Sequence, residues 1–204
     1  MAKLYFHYAA MNAGKSTLLL QASHNYRERG MSTVLYTASL DDRAGVGQIA
    51  SRIGLGSEAE IFGATDDLYA NVEARHHSSP VHCVFVDEAQ FLSETQVWQL
   101  ARVADRLAIP VMCYGLRTDF QGKLFPGSLA LLAIADHLRE VRTICRCGSK
   151  ATMVLRLGAD GKVIRQGAQV AIGGEDRYVS VCRKHWEEEM GFIAPEDLIG
   201  FSAG

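Results

Sequence analysis

Residues 9–17 read Ala-Ala-Met-Asn-Ala-Gly-Lys-Ser-Thr and lie between an apolar, strand-like run (Leu4 to Tyr8) and a helical pattern carrying Leu18, Leu19, Leu20 and Ala22. A strand that turns through Gly-Lys-Ser-Thr into a helix is a cradle for nucleotide phosphates. The loop's backbone N–H groups and the positive end of the helix both point at the anion. Ala9, Ala10, Met11, Asn12, Ala13 and Gly14 form that loop, Lys15 neutralises the outer phosphates, and the Ser16 hydroxyl reaches Mg²⁺. Ala9 stands where the general pattern has Gly, which normally permits the tight backbone approach. The competing reading is an ordinary βα turn capped by Ser16.

A second element strengthens the first. Val81-His82-Cys83-Val84-Phe85-Val86 is a continuous apolar run, as expected of a strand buried on both faces. It delivers Asp87-Glu88-Ala89-Gln90 at its carboxyl end. Asp87 is placed to hold Mg²⁺ through its water shell, and Glu88 to face a second substrate as a base. A solvated acidic turn before a helix opening at Ser93 is the plainer alternative.

The chain has 204 residues, 48% hydrophobic and 22% charged, enough for one ordinary domain and a small module. A formal net charge of −2 offers no basic field to recruit nucleic acid. No apolar run approaches membrane-spanning length, and Met1-Ala2-Lys3 leads into a strand without signal-peptide character. A cytoplasmic location is the expectation.

Five cysteines divide into two kinds. Cys83 and Cys113 sit in apolar runs and pack as small hydrophobes. Cys145-Arg146-Cys147-Gly148 and Cys182-Arg183-Lys184-His185 form two close pairs, Cys-x-Cys and Cys-x-x-His. They suit a closed Cys₃His site for a structural zinc, with Gly148 allowing the turn after the first pair. A disulfide or unrelated surface thiols are the alternatives, the disulfide disfavoured by a reducing compartment.

Strand-like runs at Ser32–Ala38, Ile109–Gly115 and Val141–Ile144 alternate with helical patterns at Leu68–His77, Val97–Leu107 and Leu129–Ala135. That order predicts an α/β fold, a parallel sheet flanked by helices, with ligands at the carboxyl ends of the strands. From about Cys145 the character changes to short strands such as Met153–Leu157 between Gly-rich turns. The zinc staples this second unit, which is too small for core burial alone. Ala44-Gly45-Val46-Gly47-Gln48, with Gly54 and Gly56, reads either as a mobile loop over the site or as a plain connection. Gln169 to Gly174 reads either as a hairpin or as backbone that closes over a flat ligand.

Taken together, Met11-Asn12-Ala13-Gly14-Lys15-Ser16, Asp41-Asp42-Arg43, Asp87-Glu88-Ala89-Gln90-Phe91 and Gly115-Leu116-Arg117-Thr118-Asp119-Phe120 resemble the zinc-containing cytosolic (type II) thymidine kinases. The four zinc-ligand positions and Ile172-Gly173-Gly174 followed by Arg177-Tyr178-Val179-Ser180-Val181-Cys182 complete the set. The start Met-Ala-Lys-Leu-Tyr-Phe is similar to the enterobacterial-type branch. The resemblance runs from Lys3 to about Met190.

It implies a P-loop (RecA-like) domain over 1–144, a zinc-binding lasso domain over 145–192, and a tail over 193–204. It implies ATP-dependent phosphorylation of the thymidine 5′-hydroxyl to give dTMP in pyrimidine deoxynucleotide salvage, deoxyuridine being a secondary acceptor. Glu88 matches the catalytic base, while Asp87, Glu88, Ala89 and Gln90 lie against the nucleotide. Met11, Phe91, Leu116, Phe120 and Tyr178 match positions enclosing the nucleoside. Val170, Ala171, Ile172 and Gly173 match a lasso whose backbone reads the pyrimidine edge, and Arg43 lies near the transferred phosphoryl group. Cys145, Cys147, Cys182 and His185 match the zinc ligands, His185 standing where animal members carry Cys. A homotetramer and feedback by dTTP are further implications, with neither nucleic acid nor membrane as a partner. On the residues alone, Phe91 and Phe120 also fit as core aromatics, Tyr178 as a strand residue and Arg43 as a surface ion-pair partner. Two rival classes are a nucleic-acid motor, disfavoured by the missing second core and basic face, and a zinc-ribbon adaptor that only binds nucleotide.

Overall fold

In the computed structural model, which describes residues 1–40, 45–170 and 177–191, the first strand-like run is β1 (Leu4–Ala9) and the helix after the glycine loop is α1 (Lys15–Glu28). The chain continues through β2 (Thr33–Ala38), β3 (Gln48–Ala50), β4 (Gly56–Glu58), β5 (Glu60–Phe62), α2 (Leu68–Ser78) and β6 (Cys83–Val86). A 3-10 turn at Ala89–Phe91 leads to α3 (Glu94–Arg106), β7 (Val111–Leu116), α4 (Pro126–Ile134) and β8 (His137–Glu140). β5, β2, β6, β7, β1 and β8 lie side by side in that order, every pairing parallel.

The two-residue period of a strand splits each apolar run between two cores. Val34, Tyr36, Val84 and Val86 face a core shared with Leu68 and Val72 of α2, Val97, Leu100 and Val103 of α3, and Leu131 of α4. Leu35, Cys83, Phe85 and Tyr114 face the other way, against Leu19 and Leu20 of α1. This is the α/β fold class expected, a parallel sheet between helical layers. Helix starts follow local chemistry. Ser93 and Gln96 cap α3 reciprocally, Ser93 Oγ accepting from Gln96 N at 3.2 Å and Gln96 Oε1 from Ser93 N at 3.0 Å. Pro126 opens α4, which therefore begins earlier than the Leu129 expected from apolar spacing.

Two local expectations are revised, and one strand was not expected. The last strand of the main sheet is β8, not Val141–Ile144; Asp136 sets its start by accepting from the N–H of Leu4 at 2.8 Å and from Lys3 at 3.0 Å. β8 is a largely exposed edge strand, so it carries no apolar signal. The segment after Gly45 folds as a β3–β4 antiparallel hairpin that buries Ile49 against α1, regular structure that neither sequence reading gave it; Ala44 lies outside the described residues. The short edge strand β5 had no sequence signal of its own.

The second unit holds β9 (Thr143–Ile144), β10 (Lys150–Ala151), β11 (Met153–Leu157), β12 (Arg177–Val181) and α5 (Arg183–Met190). β9 pairs antiparallel with β10, and β11 with β12. Its core is small: Cys145, Ala151, Leu155, Val181, Trp186 and Met190. It is moored to the segment that follows β7 by Trp186 Nε1, which donates to the Phe120 carbonyl at 2.9 Å, and by Arg117 Nη2, which donates to the Thr152 carbonyl at 3.1 Å. The 193–204 tail lies outside the described residues.

Candidate active site

Because the strands run parallel, Ala9, Val86 and Leu116 end on one edge of the sheet, with Ala9 level with Leu116 and Val86 beside Cys113. The glycine loop leaves from the first of these. Gly14 caps α1 at φ 84°, a left-handed conformation strained for any side chain, and Asn12 also sits at φ 63°. Lys15 is buried, its Nζ donating to the Ala10 carbonyl at 3.4 Å, so the ammonium lies over the loop.

The end of β6 supplies the acids. The N–H of Asp87 donates to the Tyr36 carbonyl at 2.8 Å, and Asp87 Oδ1 accepts from Glu88 N at 3.0 Å. Burial, then the charge of Glu88, pushes the Asp87 carboxyl up to about 7, opposed by hydrogen bonding to Ser16 and by the charge of Lys15. The Asp87 carboxylate and the Ser16 hydroxyl beside it are the hard oxygen donors that fit Mg²⁺; the Lys15 ammonium contributes charge and not a ligand. Glu88 sits at φ 52°, which turns the chain sharply off the strand into the 3-10 turn. Its Oε2 accepts from Nε2 of the fully buried Gln90, whose Oε1 accepts from Leu116 N at 2.9 Å.

Phe91 follows on that turn and meets the Phe125 ring edge-on, centroids 5.9 Å apart. Leu116 is buried at the end of β7, its carbonyl accepting from Ser128 Oγ at 2.5 Å. The Phe120 ring is buried beneath the Arg156 guanidinium, 5.4 Å from its centroid. Val170 is half-buried at the last described position before 171–176. Arg43, Ala171, Ile172 and Gly173 lie outside the described residues.

Several site contacts had no signal in the linear pattern. Asn12 Nδ2 donates to the Tyr178 carbonyl at 3.3 Å, and Ser180 Oγ donates to the Met11 carbonyl. β12 of the second unit therefore grips the phosphate loop directly. Asp119 organises the loop after β7: Oδ1 accepts from Gln121 N at 2.9 Å and Lys123 N at 2.8 Å, and Oδ2 from Gln169 Nε2 at 3.0 Å. The polar Asp119 and Gln169 could have been flagged as turn formers, but their pairing spans 50 residues.

The four distal ligand candidates converge. Cys145 Sγ lies 3.2 Å and Cys182 Sγ 3.4 Å from His185 Nδ1, and Cys147 Sγ lies 3.9 Å from Cys182 Sγ. All four ligand atoms fall within 4.8 Å of one another. A tetrahedron with metal–sulfur bonds of about 2.3 Å has edges of about 3.8 Å, so the cluster fits a four-coordinate ion held by three sulfurs and a nitrogen. Backbone hydrogen bonding at Cys147 pulls the Cys145 thiol down to about 7, toward the thiolate a metal requires. All five cysteines are free thiols, so the disulfide alternative does not hold.

A glycine loop closing β1, an acid pair closing β6, and both at one edge of a parallel sheet define a P-loop nucleotide-binding protein. The thymidine kinase family profile matches residues 2–186. Thymidine kinases of Mesorhizobium japonicum (73% identical over 201 residues, 98% of each chain) and Ruegeria pomeroyi (68% over 191 residues, 94% of this chain and 96% of that one) are similar throughout. The Pasteurella multocida thymidine kinase is 58% identical over 190 residues, 93% of this chain and 99% of that one. This chain belongs to the thymidine kinase family.

Proposed function

We propose that this chain transfers the γ-phosphoryl group of ATP to the 5′-hydroxyl of thymidine, with Glu88 as the general base. The observation that carries the reading is the buried Glu88 at the end of β6, beside Asp87 and across from the Lys15 loop. Phosphoryl transfer relies on positioning and charge neutralisation more than on covalent chemistry. The loop N–H groups from Ala9 to Ser16 bind the phosphates, and Lys15 balances charge on the outer ones. Ser16, and Asp87 through the ion's water shell, would hold Mg²⁺, which would supply charge neutralisation for the phosphoryl oxygens. Glu88 accepts the 5′-hydroxyl proton as the oxygen attacks phosphorus and the β–γ bridging bond breaks, releasing ADP.

The family resemblance assigns the nucleoside pocket to Met11, Phe91, Leu116, Phe120 and Tyr178, the lasso to Val170, Ala171, Ile172 and Gly173, and a role near the transferred phosphoryl group to Arg43. A backbone lasso selects pyrimidines because a wrong base edge leaves buried amides unpaired. Cys145, Cys147, Cys182 and His185 would hold zinc, whose role would be structural because four protein ligands leave no open position. Deoxyuridine as a second acceptor, dTTP as feedback inhibitor, a homotetramer and a cytoplasmic setting complete the proposal. Among the described residues no helix is long and apolar enough to cross a membrane.

The test is product formation from Mg–ATP and a panel of nucleosides. Monophosphate from thymidine and deoxyuridine, with none from deoxycytidine or purine nucleosides, is expected. Glu88→Gln should retain ATP binding and lose about 10²-fold or more in turnover. Full turnover by that variant removes Glu88 from its role.

A further inference from the structure

Gln90 has no exposed surface, and its amide spans two partners of different kinds. Oε1 accepts from the N–H of Leu116 at 2.9 Å, and Nε2 donates to Glu88 Oε2. The first contact dictates the second. A backbone N–H can only donate, so it selects the amide oxygen, and the NH₂ group is turned toward the carboxylate. Two glycines close the space around this unit. A Cβ on Gly115 would lie 2.9 Å from both Gln90 N and Gln90 Oε1, and one on Gly127 would lie 2.4 Å from the Ala89 carbonyl oxygen. The end of β7 is therefore coupled, through one buried amide, to the orientation of a carboxylate on the turn after β6.

We propose that Gln90 is the positioning residue for Glu88. The relay Leu116 N–H, Gln90 amide, Glu88 carboxylate holds one carboxylate oxygen in place. This rests on the reading of Glu88 as the base. It assigns Gln90 to the base and not to the nucleotide. Loss of the amide leaves both substrates bound but lets the base leave its line to the 5′-hydroxyl, and displacement of a reacting group by about 1 Å lowers rate by about 10²-fold.

The experiment compares wild type, Gln90→Met, Glu88→Gln and the double variant. Turnover is measured at saturating Mg–ATP and thymidine, and the Kd of each substrate at equilibrium. Gln90→Met keeps side-chain length and removes both the amide acceptor and the amide donor. Its kcat should fall about 10²-fold while both Kd values move by less than about threefold. In the Glu88→Gln background the same substitution should change kcat by less than about twofold, because Gln90 acts through Glu88. Gln90→Asn, one methylene short of the span, makes the same comparison if Gln90→Met does not fold. Unchanged kcat, a loss of affinity as large as the loss of kcat, or equal losses in both backgrounds would overturn the proposal. If wild type phosphorylates no thymidine, or Glu88→Gln keeps full turnover, the base reading fails first, and the two failures are told apart by those control proteins.

Discussion

Gly127 is the second residue of α4 and lies against the 3-10 turn that follows the acid pair. A Cβ there would meet three backbone carbonyl oxygens: Ala89 at 2.4 Å, Leu92 at 2.8 Å and Gln90 at 3.0 Å. None can rotate away as a side-chain tip could. Ordinary contact begins near 3.4 Å, so Gly127→Ala must push α4 and the 3-10 turn apart by about 1 Å, the difference between 3.4 and 2.4 Å. Overpacking of this kind destabilises by about 1–3 kcal/mol. For a chain of this length that is a fall in Tm of about 2–12 °C. The same displacement moves Glu88 relative to the phosphate loop, so kcat should fall by about 10- to 100-fold. Thermal unfolding followed by circular dichroism and steady-state thymidine phosphorylation measure the two effects. Gly56→Ala is the control, since its Cβ would lie 3.6 Å from the Ile49 carbonyl oxygen, an ordinary contact. Native Tm and kcat in Gly127→Ala would refute the argument that this close approach sets the position of the turn.

Two further outcomes follow from the distal cluster and from β1. On the proposed zinc reading, Cys182→Ser should bind about one equivalent less metal than wild type and lower Tm by about 5 °C or more, because an ion there would supplement a core of few residues; a metal-free variant of native stability would show that the cluster staples nothing. His7, stacked on Tyr114 with centroids 4.5 Å apart, is pushed down to about 4 by burial and then by the Arg139 charge. The unfolded chain therefore binds this proton first on acidification, and stability present above about pH 6.5 is lost as pH falls toward 4. The lowering corresponds to about 3 kcal/mol at most, discounted to about 1–2 kcal/mol for solvent screening of the partly exposed ring. His7→Phe keeps the stacking and should flatten the fall in stability across that window; an unchanged pH profile from urea unfolding would exclude His7 as its source.

Chemistry compressed into a few consecutive residues is legible in the linear chain. The glycine loop at Gly14-Lys15-Ser16, the acid pair at the end of β6 and the paired Cys/His spacings each obey a local rule, because a helix N-terminus, a strand end and a tetrahedral ion constrain neighbouring residues. The sheet was legible where strands are buried on both faces, since burial demands an unbroken apolar run. It was illegible at β5 and β8, edge strands whose faces meet solvent. Contacts closed across long stretches of sequence belong to the tertiary structure alone. The grip of Ser180 and Tyr178 on Met11 and Asn12, the Asp119–Gln169 bond and the Gln90 relay each join polar side chains to distant groups, and polar residues carry no periodic signature. The sequence by itself therefore determined which chemical groups the site contains; packing of α4 against the turn and of β12 against the phosphate loop decided where those groups point.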